Sequence, residues 1–506
     1  MKKNNDVTRN IMSSIIQQIV GVICGFIVPR LILSTYGSNV NGIVTSITQF
    51  LGYITLLEAG ISPVVKAALY KPIVNCEKEK IEKLLKTAEN FFRTIAVIFI
   101  VYLAILCIIF PKFYSHEYEI GFTLSLLIII SISTFFEYFF GMTYNIYLQA
   151  IQKNYIVSIL RTISKILNTV IVIVLVLNNF SIQTVKLASS LVFLITPVFL
   201  TIYVKRKYKI NLRKVKAGHV LQNKWAGFSQ HIAAIVHNSV DVAILTFLST
   251  PLEVSVYSVH MLIINSIKEL CTSLSSGIDA WFGKTLAKED YRMLNRNLNF
   301  YELFYFSTTT FLFACTLALQ IPFIRIYTLG INDVNYIRPA FAYIMIFAQF
   351  SSAIRVPYLN IVLAAGHFKQ TEKFAWTETI LNILISIILV FRLGIVGVAI
   401  GTLISTLTRT LEIIIYLSKN IIKRNVFETS KKIFFATIEI VLIYAISRII
   451  KFDLNNTYTN FFIYAIIVAI ISLIVICAIN VFVYNKEIVD IVENKIKRRK
   501  NIEISK

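Results

Sequence analysis

The sequence predicts an all-α integral membrane protein of about 14 transmembrane helices. Three observations predict it. Hydrophobic residues make up 56 % of the 506 positions and charged residues only 15 %, where a soluble domain carries about 25 % charge. The apolar residues fall in runs long enough for a hydrocarbon core of about 30 Å, which takes about 20 residues per helix. The basic excess, 50 Lys and Arg against 27 Asp and Glu, gathers in alternate connections between those runs. The runs are too long for barrel strands and show no period-two alternation.

Taken in order, Lys2, Lys3 and Arg9 lead into an apolar run from Ile11 to Ser34. It is too long for the core of a signal peptide and no small-residue cleavage site follows it, so it is read as a retained first helix. The spans are predicted at about 11–34, 42–68, 89–110, 121–148, 156–177, 184–204, 226–249, 254–282, 298–320, 337–363, 374–391, 395–417, 433–450 and 460–484. The long second, fourth, eighth and tenth are expected to tilt or to extend past the hydrocarbon. Two amphipathic stretches are expected to lie on the inner leaflet. One carries Ile81, Leu84, Leu85 and Ala88, and the other carries Ile488, Val492 and Ile496 ahead of Lys497-Arg498-Arg499-Lys500.

With the N-terminus inside, the inner segments hold 35 of the Lys and Arg and the outer loops hold 4. Basic residues in short loops stay cytoplasmic, so both termini are expected in the cytoplasm. Trp225, Trp281 and Trp376 fall at inner helix ends, where amphipathic rings favour the interface. The net charge of +23 is thus topological, and no nucleic-acid partner is expected. The domain reading is a six-helix lobe at 1–204, a basic cytoplasmic linker at 205–225, a second six-helix lobe at 226–417, two extra helices at 418–484 and a basic tail at 485–506. Weak self-similarity supports two parallel repeats. Ile32-Leu33-Ser34 matches Ile244-Leu245-Thr246, and Gly60-Ile61 with Lys66 matches Gly277-Ile278 with Lys284. Paired repeats are a transporter architecture.

Several chemistries are excluded. Cys24, Cys107, Cys271, Cys315 and Cys477 sit in apolar runs, Cys76 lies in a polar stretch, and no C-x-x-C spacing occurs. There is no phosphate-binding G-x-x-x-x-G-K-[ST], no H-E-x-x-H and no G-x-S-x-G. No metal, cofactor or catalytic group is expected. No outer loop exceeds about sixteen residues on this map, which leaves a membrane glycosyltransferase or polymerase little room for its chemistry.

Charges inside spans remain: Glu58, Glu137, Lys165, Asp241, Lys268, Glu269, Arg355 and Arg409. Each costs about 2.5–3.5 kcal/mol at mid-bilayer, so most must face a cavity or one another. Arg409 and Glu412, three apart, are expected to pair on one helix face. Arg161 and Lys165 are four apart with the same sign, an arrangement that fits an external anion or cations reaching to the headgroups. Arg30 after a Pro29 kink and Arg355 before Pro357 are candidate anion ligands, as are Lys66 and Lys268. Asp241, with His237 four residues earlier, could carry a proton or hold a basic partner. Glu58 is a further candidate for ion coupling.

Tyr36-Gly37, Asn41-Gly42, Tyr53 and Leu56-Leu57-Glu58-Ala59-Gly60-Ile61 resemble the opening of the polysaccharide flippases. Asn238-Ser239-Val240-Asp241 with Ile244-Leu245 resembles their seventh span. Leu363-Ala364-Ala365-Gly366-His367-Phe368-Lys369, Asn382 and Gly394-Ile395-Val396-Gly397-Val398-Ala399 resemble their later half. The resemblance, over about 7–420, is to Wzx-type flippases of the multidrug/oligosaccharidyl-lipid/polysaccharide exporter superfamily. It implies movement of undecaprenyl-diphosphate-linked oligosaccharide across the bacterial cytoplasmic membrane, with lobes rocking around a cationic cavity. Polysaccharide polymerase and glycosyltransferases would be the functional partners and membrane lipids the surroundings. A lipid II flippase and a MATE-like ion-coupled exporter share the implied fold.

Overall fold

The structure is a computed structural model and describes residues 2–58, 61–114, 118–212, 215, 228–275, 282, 291–450 and 457–485. The described residues are helical and turn segments. Eleven helical stretches among them are long and apolar enough to cross a membrane. One of these, Thr8–Glu58, contains two crossings because it breaks at Gly37. Helices Pro251–Ser275 and Val426–Ile449 also have the length of a crossing and complete the expected fourteen. The chain divides into two compact units, Met1–Ser258 with Ile331–Val334, and Val259–Gly330 with Asn335–Lys506. The seventh span, expected to open the second lobe, therefore groups with the first unit. The basic linker and tail fall mostly outside the described residues, as do Ala59-Gly60, Gly277-Ile278, Trp225, Trp281 and the amphipathic Ile488, Val492 and Ile496.

The first unit opens with α1 (Lys2–Gly52), which carries Pro29 and bends at Gly37, φ 85°. A positive φ is cheap only for glycine. Just past the bend, the N–H and the hydroxyl of Ser38 donate to the two Asp333 carboxylate oxygens, each at 2.6 Å. Asp333 thus caps the second half of α1 from a distant loop, satisfying donors that a helix start leaves open. A turn at Tyr53-Ile54 separates α1 from α2 (Thr55–Glu58), and α3 (Ile61–Val74) follows the undescribed pair 59–60. The predicted second span is therefore long because it is interrupted.

Helix α4 (Lys78–Tyr114) corrects the first interfacial helix of the sequence reading. Residues 78–88 are its opening turns, with Leu84, Leu85 and Ala88 fully buried in the core of the first unit. Their apolar stripe meets protein because the helix runs on unbroken into the third span. Helix α5 (Ile120–Phe136) passes through a π turn, Glu137–Gly141, into α6 (Met142–Ala150). A π turn adds a residue to the helical register and is frequent at functional sites. Helices α7 (Asn154–Leu177), α8 (Ile182–Phe193), α9 (Ile195–Tyr208) and α10 (Phe228–Leu248) follow.

Close approach is achieved with small and hydroxylated residues, as in other membrane helix contacts. A Cβ on Gly42 would lie 1.9 Å from the Pro251 carbonyl oxygen, at the start of α11 (Pro251–Ser275). Ser46 and Thr246 share a 2.8 Å hydrogen bond, and Asn41 Nδ2 donates to Ser255 Oγ at 2.9 Å.

The second unit holds the rest of α11, then α12 (Tyr291–Tyr327), α13 (Pro339–Ala364), α14 (Phe368–Leu393), α15 (Ile395–Asn420), α16 (Val426–Ile449) and α17 (Tyr458–Val483). Gly394, φ 56°, makes the turn between α14 and α15, and Gly397 and Gly401 let their backbones close. A Cβ on Gly401 would meet Ser386 Oγ at 2.1 Å. Helix α17 exposes Ile463, Ile466, Ile470, Leu473 and Ile474, a face suited to lipid rather than water.

Candidate functional site

In the first unit, the interrupted second span and the π turn bring polar side chains together. Glu58, at the end of α2, accepts hydrogen bonds from Ser62 Oγ at 2.8 Å and from Tyr138 OH, on the π turn, at 3.1 Å. One turn beyond Ser62, Lys66 Nζ donates to Gln149 Oε1 at 3.5 Å, and Gln149 Nε2 donates to Asn145 Oδ1 at 3.1 Å. Glu58, Ser62, Pro63, Lys66, Asn145 and Gln149, with Met142 and Ile146, line a cavity of about 190 Å³. That volume holds roughly six waters at about 30 Å³ each. Breaks in two neighbouring helices make it possible, because regular backbone would fill the space with its own hydrogen-bonded turns.

A second set lies on the same π turn. Arg161 Nη2 donates to Glu137 Oε1 at 3.4 Å, with both side chains about half exposed, 42 % and 50 %. Both charges also act on Glu58 electrostatically. Lys165, one turn after Arg161 on α7, takes a different direction. Its Nζ sits where a Cβ on Gly21 of α1 would come within 2.9 Å. The two like charges thus diverge, one toward Glu137 and one toward α1. Arg30 is half-buried one residue after Pro29.

Asp241 is buried on α10 and accepts from the Tyr257 hydroxyl at 3.1 Å. Tyr53 OH donates to the Ser239 carbonyl at 3.0 Å, so a second phenol lies along the same stretch of α10. His237, one turn before Asp241, is also buried.

The second unit treats charge differently. Glu378, fully buried on α14, receives Arg355 Nη1 at 2.7 Å and Arg409 Nη1 at 2.5 Å. The expected Arg409–Glu412 pair does not form. Arg409 crosses to the neighbouring helix, where one carboxylate can serve two guanidinium groups, and Glu412 Oε2 is left without a hydrogen bond. Arg355 is therefore engaged by protein, between Pro357 and the Ser352 it also reaches at 3.5 Å. A second cluster centres on Glu302, which receives Arg424, Lys432 and Tyr358 OH at 2.5, 2.7 and 2.8 Å. Arg424 also bonds Thr429. Lys268 is half-buried on α11, and the adjacent Glu269 is exposed.

Sequence reasoning passed over Glu378, Glu302, Tyr138, Asn145 and Gln149. The acids lay near predicted span ends, and neutral polar residues in spans are too common to stand out. The available signal was charge balance: Arg355 and Arg409 on separate spans call for a carboxylate on a third.

The fold recurs among solved membrane transporters. "Lipid II flippase MurJ, inward closed conformation" superposes with a TM-score of 0.70 at 17 % identity, over 94 % of this chain and 100 % of that one. An inward-facing multidrug resistance MATE family transporter of the MOP superfamily gives 0.60 at 14 %, over 83 % and 99 %. A structure of the MATE multidrug transporter DinF-BH gives 0.58 at 16 %, over 83 % and 96 %. Neither a protein-family model nor a curated protein matches the chain. The chain is thus a multi-pass membrane protein with the fold shared by these flippase and exporter structures.

Proposed function

We propose that this protein is a flippase that carries undecaprenyl-diphosphate-linked oligosaccharide repeat units across the bacterial cytoplasmic membrane by alternating access. It transports and does not catalyse a covalent step. The observation that carries the reading is the polar cavity of the first unit, where Lys66 stands with Asn145, Gln149 and Glu58 inside a membrane fold. An ammonium beside amide donors suits a phosphate-linked sugar headgroup, since cations in a low-dielectric setting attract a diphosphate strongly. Arg161 and Lys165 on α7 and Arg30 on α1 are the further anion ligands in that unit, with Lys268 in the other; Arg355, expected from the sequence to join them, is held by Glu378 at 2.7 Å and is left out. Asp241, His237 and Glu58 are the groups proposed for ion coupling.

Likeness to the lipid II flippase structure spans 94 % of the chain, against 83 % for the MATE structures. That favours a lipid-linked cargo over a drug. Upstream glycosyltransferases and a downstream polymerase would supply and consume the cargo, and both termini would lie in the cytoplasm. The test is flipping of a fluorescent undecaprenyl-diphosphate oligosaccharide in vesicles containing the purified chain. Lys66→Ala is expected to lose that activity while remaining inserted. Normal flipping by Lys66→Ala, together with drug-cation transport by the parent, would replace this reading with an exporter.

A further inference from the structure

A buried acid in the second unit is used by neither the ion clusters nor the cavity described above. Glu439 lies mid-helix on α16, 3 % exposed. Among the described residues, no hydrogen bond or ion pair reaches its carboxyl group. It faces a slit enclosed by α12, α16 and the end of α17, with no room for a water molecule. The walls are mostly apolar: Phe306, Phe435, Ala436 and Val483.

Three neutral oxygens share that slit. Thr310 Oγ1 is buried and makes no hydrogen bond, although helical threonines commonly bond the carbonyl four residues back. Asn480 turns its Nδ2 to Ser307 Oγ at 2.8 Å, which leaves its Oδ1 as an acceptor. The titratable groups on the walls are few. Lys432, on the same helix, is held by Glu302 at 2.7 Å and Asn299 at 3.0 Å and stacks 5.0 Å over the Tyr484 ring. Tyr484 lies just past α17. Helix α12 presents Ser307 and Thr310, which do not titrate, and farther along α16 Tyr444 is engaged by Tyr343 of α13 at 2.8 Å.

An ionised carboxylate in a membrane interior without a partner or water is costly. A hydrated ion cannot enter this slit, and among the described residues no second acid lines it to help bind a bare metal. A proton needs no space and supplies what is missing. It turns the carboxylate into a donor for Thr310 Oγ1 or Asn480 Oδ1 and removes the charge.

We infer that Glu439 is a reversible proton-binding site built into α12, α16 and α17. The closed slit holds the carboxyl neutral. When the helices part and water enters, the O–H bond breaks, the proton passes to water and the carboxylate is hydrated. Reclosure then requires a proton to return. The site would make the packing of the last two helices against α12 depend on proton uptake, whatever cargo the protein moves.

Infrared spectroscopy of the full-length chain in lipid vesicles tests this directly. At neutral pH the parent is expected to show a protonated-carboxyl C=O band that Glu439→Gln removes. Alkali should abolish that band reversibly while the helical amide bands persist. Glu439→Asp keeps a carboxyl on a shorter arm and should shift the band, which protects the test should Glu439→Gln fail to insert. Identical carboxyl spectra in parent and variants would overturn the inference. So would loss of the band only together with helical structure. Loss of the band when choline chloride is exchanged for sodium chloride would overturn it in favour of a sodium site.

Discussion

Lys66 and Arg161 of the first unit are loosely held, whereas Arg355, Arg409, Arg424 and Lys432 of the second are locked. In the first, Lys66 has one long contact at 3.5 Å and Arg161 one at 3.4 Å, beside a cavity and at half-exposed positions. In the second, Glu378 and Glu302 are both fully buried, and each binds two cations at 2.5–2.7 Å. The same residue types thus do different work. A charge with spare donors beside open volume can meet a ligand. A charge whose carboxylate partner is already saturated maintains helix packing, and its removal strands the others. Arg355 belongs to the second kind in this structure, although the sequence alone places it with Lys66.

The sharpest break in that contrast should come at Glu302. Replacing it with Gln removes the buried counter-charge that Arg424 and Lys432 share, leaving Arg424 only the exposed Glu428 at 3.9 Å, and gives Tyr358 a weaker acceptor. Breaking a buried ionic cluster costs about 3–5 kcal/mol, so Glu302→Gln should lower the thermal unfolding temperature in detergent sharply or prevent insertion. An unfolding temperature equal to the parent's would show that the second unit does not depend on this cluster. Glu378→Gln should behave alike, stranding Arg355 and Arg409.

Lys66→Ala should do the reverse. It removes a half-buried ammonium with one weak contact, so stability should change by less than about 1 kcal/mol while flipping is lost. Equal losses of stability and transport would place Lys66 with the locked charges and dissolve the contrast.

A smaller effect tests the cap in the first unit. Asp333 receives both donors of Ser38 at 2.6 Å beyond the Gly37 bend. Loss of a helix cap costs about 0.5–2 kcal/mol. Asp333→Ala should therefore destabilise measurably without unfolding, and hydrogen exchange should rise first at residues following Gly37. Unchanged exchange there would mean that the bend is fixed by packing alone.

The contrast also marks how far the sequence could be read. Apolar runs and the confinement of Lys and Arg to alternate loops specify the number of crossings, because both follow from solvation in the bilayer. The interruption at Tyr53-Ile54 and the π turn at Glu137–Gly141 were not legible. Hydropathy carries no record of hydrogen-bond register, so they appeared only as over-long spans. Glu58 and Lys66 stood out as charges in apolar runs, while Asn145 and Gln149 did not. Partner choice was the least legible. Glu412 is three residues from Arg409, yet tertiary packing offers Glu378, which serves two guanidinium groups at once. Sequence spacing finds only partners on the same helix.

The least costly change probes the boundary of the comparison. Glu137 and Arg161 form the one ion pair on the π turn among the described residues, at 3.4 Å and about half exposed. A half-exposed pair that faces a water-filled pathway rather than lipid is worth about 0–1 kcal/mol, since water and salt screen it. Glu137→Gln should leave the unfolding temperature nearly unchanged. Its consequence should lie in function. With Glu137 neutral, Arg161 loses that carboxylate contact and gains free donors, and the net charge around Glu58 becomes more positive. If the proposed cargo is right, binding of an undecaprenyl-diphosphate headgroup should then tighten, most at low salt, and the gain should fade as ionic strength rises. Charge removal at Glu137 that weakens headgroup binding would mean that the pair orients Arg161 toward its ligand. A marked loss of stability would mean that the first unit, too, relies on a fixed pair, and the division between loose and locked charge would no longer follow the two units.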